Sequence, residues 1–323
     1  MKPVGEGKVE ELDVYGVKDL SERVIKELKK VVVGKVDIIR HLLIGLYSNG
    51  HILLEGVPGV AKTFIANNFA KTLGCTFKRI QFTPDLLPSD IIGTHIFDQK
   101  EGVFKFRKGP IFANIILADE INRAPPKTQS ALLESMQERQ VTVEGATFKL
   151  PEPFLVVATQ NPIEFEGTYP LPEAQVDRFY FKLDVNYPTL EEEIEVIRRK
   201  SNPVDIEVET ISSPEEIVHV QKIVRNVYTS EEIMQYIAEI VNKTRTDPNI
   251  LLGASPRASI VLLNGAKAIA AMNGRDYVIP DDVKQILYPT LNHRLIIKPE
   301  AELEGVTVEE IIKKIIEEVP APS

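Results

Sequence analysis

Residues 51–63 read His51-Ile52-Leu53-Leu54-Glu55-Gly56-Val57-Pro58-Gly59-Val60-Ala61-Lys62-Thr63. A short apolar run, a glycine-rich turn and a Lys-Thr pair opening a helical pattern over Thr63 to Leu73 form the phosphate-cradling P-loop arrangement. Backbone N–H groups of such a loop converge on phosphate oxygens, and the helix N-terminus behind them adds a positive dipole. Lys62 is placed to reach the β- and γ-phosphates of a nucleotide, and the Thr63 hydroxyl to ligate Mg²⁺. Ala61 stands where a glycine is expected. Alanine resists positive φ, so the loop is expected to enter the helix with ordinary geometry there. A glycine-rich turn without a ligand is the competing explanation, and it leaves the Lys-Thr pair unaccounted for.

Working outward, Leu20 to Val33 and Val36 to Ser48 carry helical spacing and stop at Gly34 and at Asn49-Gly50. Thr76 to Phe82, Ala113 to Ala118 and Phe154 to Thr159 join His51 to Glu55 as strand candidates. Their near-continuous apolar runs suit parallel strands covered on both faces, and their alternation with helices predicts a doubly wound α/β core. Thr94 to Arg107 and Gln140 to Leu150 break that rhythm and read as two inserted β-hairpins. Beyond Tyr187-Pro188-Thr189 the pattern is helical: Leu190 to Lys200, Pro214 to Asn226, Ser230 to Arg245, Pro256 to Met272, Pro280 to Asn292 and Thr307 to Glu318, with a looser connector over Ser201 to Ser213. The expected organisation is a core over 1–187 and an all-α lid over 188–323.

Two further strand ends carry polar groups. Ile115-Ile116-Leu117-Ala118 runs into Asp119-Glu120, and Ala158-Thr159-Gln160 into Asn161-Pro162. At the carboxyl ends of parallel strands these side chains face the crevice of the phosphate loop. Asp119 would hold Mg²⁺ through water, Glu120 would polarise an attacking water, and Asn161 would help to position it. An acidic pair capping a helix, and an Asn-Pro turn ending a strand, account for the same letters locally. Arg178 and Arg257 are candidates for stabilising a γ-phosphate, although on the residues alone a surface salt bridge is the reading to take for each.

With 323 residues, 43% hydrophobic and 26% charged, the chain can bury a sizeable core. A net charge of −9 from 38 basic and 47 acidic residues argues against nucleic-acid coating, which depends on neutralising phosphates. The single cysteine, Cys75, excludes an intramolecular disulfide and a Cys-rich zinc site, and is expected to be a buried, inert thiol. Met1 to Glu11 is polar rather than a signal peptide, and no apolar run approaches the roughly 20 residues that span a bilayer. The cytoplasm is the expected location.

Together these stretches resemble the MoxR family of AAA+ ATPases. The resemblance rests on residues 56–63, 118–129 (Ala-Asp-Glu-Ile-Asn-Arg-Ala-Pro-Pro-Lys-Thr-Gln), 132–142, 158–164 and 167–179, and extends from about Val31 to the last helix. It implies an α/β P-loop NTPase fold with a doubly wound parallel-sheet core, inserted hairpins and a helical lid. It implies that Gly56, Val57, Pro58, Gly59, Val60, Ala61, Lys62 and Thr63 form the Walker A loop, followed by Phe64. Asp119 and Glu120 would be Walker B, Asn161 sensor 1, Arg178 an arginine finger acting on a neighbouring subunit, and Arg257 the sensor 2 arginine. Val33 and Gly34 would line the adenine pocket; Lys35 departs there from the family's usual Gln. Arg123 could also reach across a subunit interface. The family's loop carries alanine before the lysine, as here. The resemblance further implies ATP and Mg²⁺, a homo-oligomeric ring of the hexameric type, and a protein client, with partners that can carry a von Willebrand factor A domain. A nucleotide-gated scaffold with little turnover and a DNA translocase are the rival functions; the complete Asp119, Glu120 and Asn161 set opposes the first, and the acidic charge the second.

Overall fold

The computed structural model describes residues 13–57, 59–162, 167–201 and 206–322. Pro58, Ile163, Glu164, Met1 to Glu11 and part of the 201–213 connector lie outside them. Two helices lead, α1 (Val14–Lys29) and α2 (Val36–Tyr47), followed by β1 (Ile52–Glu55), α3 (Lys62–Thr72), β2 (Phe77–Gln81) and the short α4 (Pro88–Ile92). A hairpin of β3 (Gly93–Asp98) and β4 (Val103–Lys108) precedes β5 (Ile115–Asp119) and α5 (Pro126–Glu138). A second hairpin, β6 (Gln140–Val143) and β7 (Ala146–Lys149), precedes β8 (Leu155–Gln160), the one-turn α6 (Glu173–Val176) and β9 (Phe181–Asp184). Then come α7 (Leu190–Ser201), α8 (Pro214–Asn226), α9 (Glu231–Thr246), β10 (Ile250–Leu252), α10 (Pro256–Met272), α11 (Pro280–Lys284), α12 (Leu287–Leu291), β11 (Ile296–Ile297), α13 (Pro299–Leu303) and α14 (Val308–Glu318).

The central sheet is parallel throughout, in the order β2-β5-β8-β1-β9. Its side chains alternate between two cores. Ile52, Leu54, Ile115, Leu117, Leu155 and Val157 join α1, α2 and α3 on one face. Leu53, Ile116, Ala118, Val156 and Ala158 pack with Leu132, Leu133 and Met136 of α5 on the other. Burial on both faces is why these strands read as continuous apolar runs rather than alternating ones. The register aligns the strand ends: Gln81 lies opposite Asp119, and Glu55 opposite both Gln160 and Asp184. Every polar residue that ends a strand therefore lies on one rim.

The lid helices begin where side chains cap them. Ser213, Ser230 and Thr307 accept from the backbone N–H of the third residue of α8, α9 and α14. The first core face is continuous with the lid, since α1 packs along α10 and α2 against α8 and α10.

Three expectations are corrected, and one strand is added. α1 starts at Val14, because Asp13 caps it by accepting from Gly16 N at 3.0 Å, and it stops at Lys29 rather than Val33. The 280–292 stretch is two short helices, broken at Ile286 (φ −113°, ψ 5°), and Pro289 supplies no N–H to continue one ladder. The lid is not purely helical, because β10 and β11 form a small antiparallel ribbon. β9, whose four residues give too short a pattern to separate from a loop, is an edge strand of the main sheet beside β1.

Candidate nucleotide site

The loop after β1 owes its shape to three small residues. A Cβ on Gly56 would lie 2.5 Å from Val185 O, so only glycine lets the chain pass there. Gly59 has φ +85° and open space where a Cβ would stand, so its requirement is conformational. Ala61 corrects the expectation of ordinary geometry: it is left-handed, at φ 61°, ψ 22°, immediately before α3. An L-residue there costs about 1–2 kcal/mol, a strain of the kind concentrated at ligand-clamping turns. Val57 is half-buried, Val60 buried, and Phe64 exposed on the first turn of α3.

Lys62 Nζ donates to Gly56 O at 2.7 Å, folding the side chain back over the loop. Burial lowers its pKa, while the carboxylates of Asp119, Glu120 and Glu55 pull it back up. Those couplings place the loop lysine in the field of the acidic pair.

Asp119, the last residue of β5, is buried and fully engaged. Thr159 Oγ1 donates to its Oδ1 at 2.6 Å, and Arg79 donates to its Oδ2 from Nε at 3.0 Å and from Nη2 at 2.7 Å. Glu120 takes a left-handed backbone (φ 57°, ψ 51°), and its N–H donates to the same Thr159 hydroxyl at 2.8 Å. Its Oε2 accepts from Gln81 Nε2 at 2.7 Å and lies 3.2 Å from Arg123 Nε. Arg79 also donates to Gln81 Oε1, closing a chain from Asp119 through Arg79 and Gln81 to Glu120. Arg123, expected to reach toward a neighbour, here pairs within its own chain.

Arg79, Gln81 and Thr159 are site residues that the sequence patterns do not single out. The available signal is an Arg and a Gln near the end of β2, in contrast to β1 and β5, which are apolar up to their last residue. Asn161 is buried one residue beyond β8, and the strand order sets it between Asp119 and Gly56. Thr63 is half-buried and, among the described residues, makes no side-chain hydrogen bond. A hydroxyl and a carboxylate are hard oxygen donors of the kind Mg²⁺ takes while keeping several of its waters; the donor types of Thr63 and Asp119 suit that ion, with Asp119, whose oxygens are taken by Thr159 and Arg79, reaching it through water.

Arg178 lies half-buried in the turn between α6 and β9. Arg257 sits at the start of α10, with Nη1 3.6 Å from Asp177 Oδ2. Among the described residues, neither arginine has a hydrogen bond or ion pair to Lys62, Asp119 or Glu120, so the structure does not join them to the acidic pair. Gly34 (φ +64°) is covered by Glu192 of α7, whose carboxylate fills the place a Cβ would take. Lys35 Nζ donates to Asn186 O at 2.9 Å, tying the Val33–Gly34 segment to the chain that leads into α7. Cys75 is buried, and burial pushes its thiol up to about 12, as an inert thiol requires.

Residues 51–181 match the model of the ATPase family associated with various cellular activities (AAA), and residues 242–315 that of an AAA lid domain. The chain is 47% identical to Chaperone MoxR1 of Mycobacterium tuberculosis over 310 residues, covering 93% of this chain and 82% of that protein. It is 50% identical to the uncharacterized protein YeaC of Bacillus subtilis over 302 residues, covering 93% and 94%. A crystal structure of a candidate ATPase from Cytophaga hutchinsonii superposes with a TM-score of 0.90 at 50% identity, covering 96% and 97% of the two chains. A parallel core with a glycine loop and paired carboxylates on one rim, a helical lid and these relatives lead to one conclusion: the chain belongs to the MoxR family of AAA+ ATPases.

Proposed function

We propose that this protein hydrolyses ATP in a Mg²⁺-dependent reaction within a homo-oligomeric ring, and uses the resulting subunit motion to remodel a protein client. The observation that carries the reading is the rim itself, on which Lys62, the Asp119–Glu120 pair and Asn161 follow neighbouring parallel strands. A chain that only bound nucleotide would need Lys62 and the loop amides but not a positioned carboxylate beside them.

The loop amides and Lys62 bind the β- and γ-phosphates. Thr63 and Asp119 would hold Mg²⁺, which when bound neutralises phosphate charge. Glu120, once released from Gln81, accepts a proton from the attacking water, and Asn161 orients that water. Val33 and Gly34 border the adenine. Arg178 completes the site of the next protomer, and Arg257 brings the lid to the γ-phosphate, so that nucleotide state becomes lid rotation. The name of the Mycobacterium tuberculosis relative, a chaperone, supports a protein client; a partner with a von Willebrand factor A domain and a cytoplasmic location belong to the same proposal. No helix among the described residues is long and apolar enough to cross a membrane.

One observation favours a second reading. Both carboxylates of the acidic pair are occupied by cationic or amide donors, which suits a nucleotide-gated scaffold that turns over slowly. Steady-state turnover per protomer across a wide range of protein concentration separates the two. Specific activity that rises and saturates supports shared sites in a ring. Flat, near-zero activity with intact ATP binding gives the scaffold reading.

A further inference from the structure

The turn that carries Arg178 lies at the amino end of the parallel sheet. Tyr180 N–H donates to His51 O at 2.7 Å, and Phe181 stands opposite Ile52 in parallel register. The loop with Lys62 follows Glu55 at the other end of β1, and Asp119 and Glu120 stand at the end of β5 on that same rim. The length of β1 alone separates the two ends by roughly 10 Å. An arginine at the amino end is placed for a nucleotide held by a neighbouring copy, not for the one on its own rim.

What fixes this turn is a lid residue, Arg294, which lies between α12 and β11 with its side chain only 1% exposed. All five of its N–H donors are used. Nη2 donates to Asp177 O at 3.0 Å and to Phe179 O at 2.6 Å, so one nitrogen holds the carbonyls on both sides of Arg178. Nη1 donates to Tyr180 O at 3.1 Å and to Thr290 O, and Nε to Asp177 Oδ1 at 2.7 Å. Four of the five bonds therefore end on residues 177–180. The two preceding residues reinforce the grip: Asn292 Nδ2 donates to Lys182 O at 3.1 Å, and the His293 ring lies 3.2 Å from Phe179 O. Stability alone does not ask for this arrangement. A buried ion pair can often be exchanged for apolar packing at little cost, whereas a planar fork with fixed donor directions dictates the path of the backbone it binds.

We infer that Arg294 is a positioning residue: it shapes the turn around Arg178, so that the lid of one protomer sets the arginine offered to the next protomer's nucleotide. This rests on the proposed trans role of Arg178. A lid that turns relative to the core carries the carbonyls of residues 177, 179 and 180 with it, and the arginine between them. Misplacing such a group by about 1 Å costs about 100-fold in rate. Binding of ATP by the same protomer uses the opposite rim and does not depend on the turn.

The test reads turnover, ATP affinity and assembly of Arg294→Met in the full-length chain, alone and in equimolar mixtures with Glu120→Gln and with Arg178→Ala. Energy transfer between labelled subunits follows assembly and exchange. Alone, Arg294→Met is expected to lose about 100-fold in kcat, with ATP affinity and assembly unchanged. Glu120→Gln, which brings an intact turn, is expected to restore turnover. Arg178→Ala, which fails on the same face, is expected not to. Restoration by Arg178→Ala, equal behaviour of the two mixtures, weakened ATP binding, lost assembly or an unchanged kcat would each overturn the inference. Should Arg294→Met fail to fold because Asp177 loses its partner, Arg294→Lys keeps the charge but not the fork and is read the same way. If Arg178→Ala and Glu120→Gln do not restore each other despite exchange, the trans role of Arg178 fails and the inference with it. If they restore each other while Arg294→Met does not behave as Arg178→Ala does, only the inference fails.

Discussion

Gln81 Nε2 donates to Glu120 Oε2 at 2.7 Å across neighbouring strands, so the residue assigned to activate water is restrained from β2. Arg123 lies against the same oxygen at 3.2 Å. A carboxylate oxygen that already accepts from two donors is not placed to meet a water, and reaching it requires giving up the amide bond. A hydrogen bond to a charged group contributes about 1.5–3 kcal/mol. Gln81→Leu is therefore expected to raise basal turnover by about ten-fold, near the lower end of that range, and to leave ATP affinity unchanged. A fall in kcat would instead make Gln81 a group that orients Glu120 for the reaction.

The phosphate loop yields a paired prediction on one helix start. Lys62→Ala removes the loop's only side-chain cation among the described residues and is expected to weaken ATP binding more than about 100-fold, since charge-assisted contacts to phosphate are lost. Binding by Lys62→Ala at wild-type affinity would remove the loop from the site. Ala61→Gly does the reverse to stability. The left-handed backbone at φ 61° is free for glycine, so unfolding is expected to become harder by about 1 kcal/mol, less the entropy glycine adds to the unfolded chain. A lower melting temperature for Ala61→Gly would show that the alanine methyl makes contacts outweighing its strain.

Much of this site is legible because its chemistry is local. Gly56 to Thr63, Asp119-Glu120 and Asn161 each end an apolar run, and a strand end needs only its own neighbours to be read. Arg79 and Gln81 are not legible in that way. They meet Asp119 and Glu120 only because β2 is the strand beside β5, a pairing no short pattern specifies. The joint of Asp177 and Arg294 spans 117 residues and depends on how the lid folds back. Ala61 misleads for a physical reason. Intrinsic preference disfavours its backbone conformation, and the surrounding loop imposes it.

His51 gives a pH prediction. Its ring is buried, with Nε2–H donating to Met136 O at 3.0 Å and Nδ1 accepting from Val156 N–H at 3.0 Å. Burial, with Arg139 nearby, lowers its pKa to about 3. The unfolded chain therefore binds a proton near pH 6.5 that the native state refuses until about pH 3. The stability contributed by the neutral ring is complete above that upper value and is lost as pH falls through the window. The full linkage is on the order of 5 kcal/mol. Burial also lowers the pKa of His41 and His293, which add to the same loss. Denaturant unfolding between pH 7 and 4 is expected to show stability falling with pH, with a shallower slope in His51→Gln. Parallel slopes would mean that the ring protonates without unfolding the chain.

The proposed trans role of Arg178 predicts rescue between two inactive proteins. Glu120→Gln is expected to bind ATP and hold it unhydrolysed. Arg178→Ala is expected to lose about 10³–10⁵ in turnover, the range an arginine at a γ-phosphate supplies. In a mixed ring, a site is intact only where an Arg178→Ala protomer, with its own Glu120, is followed by a Glu120→Gln protomer offering Arg178. Random equimolar mixing makes about a quarter of the interfaces complete in the proposed ring, whose contacts would be heterologous, whatever the ring size. Turnover of the mixture is thus expected to approach about a quarter of wild type and to vary as the product of the two fractions. Energy transfer between subunits labelled with donor and acceptor dyes, read on the same samples, verifies that the subunits exchange. Proven exchange without rescue would place Arg178 in its own protomer's site or outside the reaction, leaving the half-buried turn between α6 and β9 a purely structural feature.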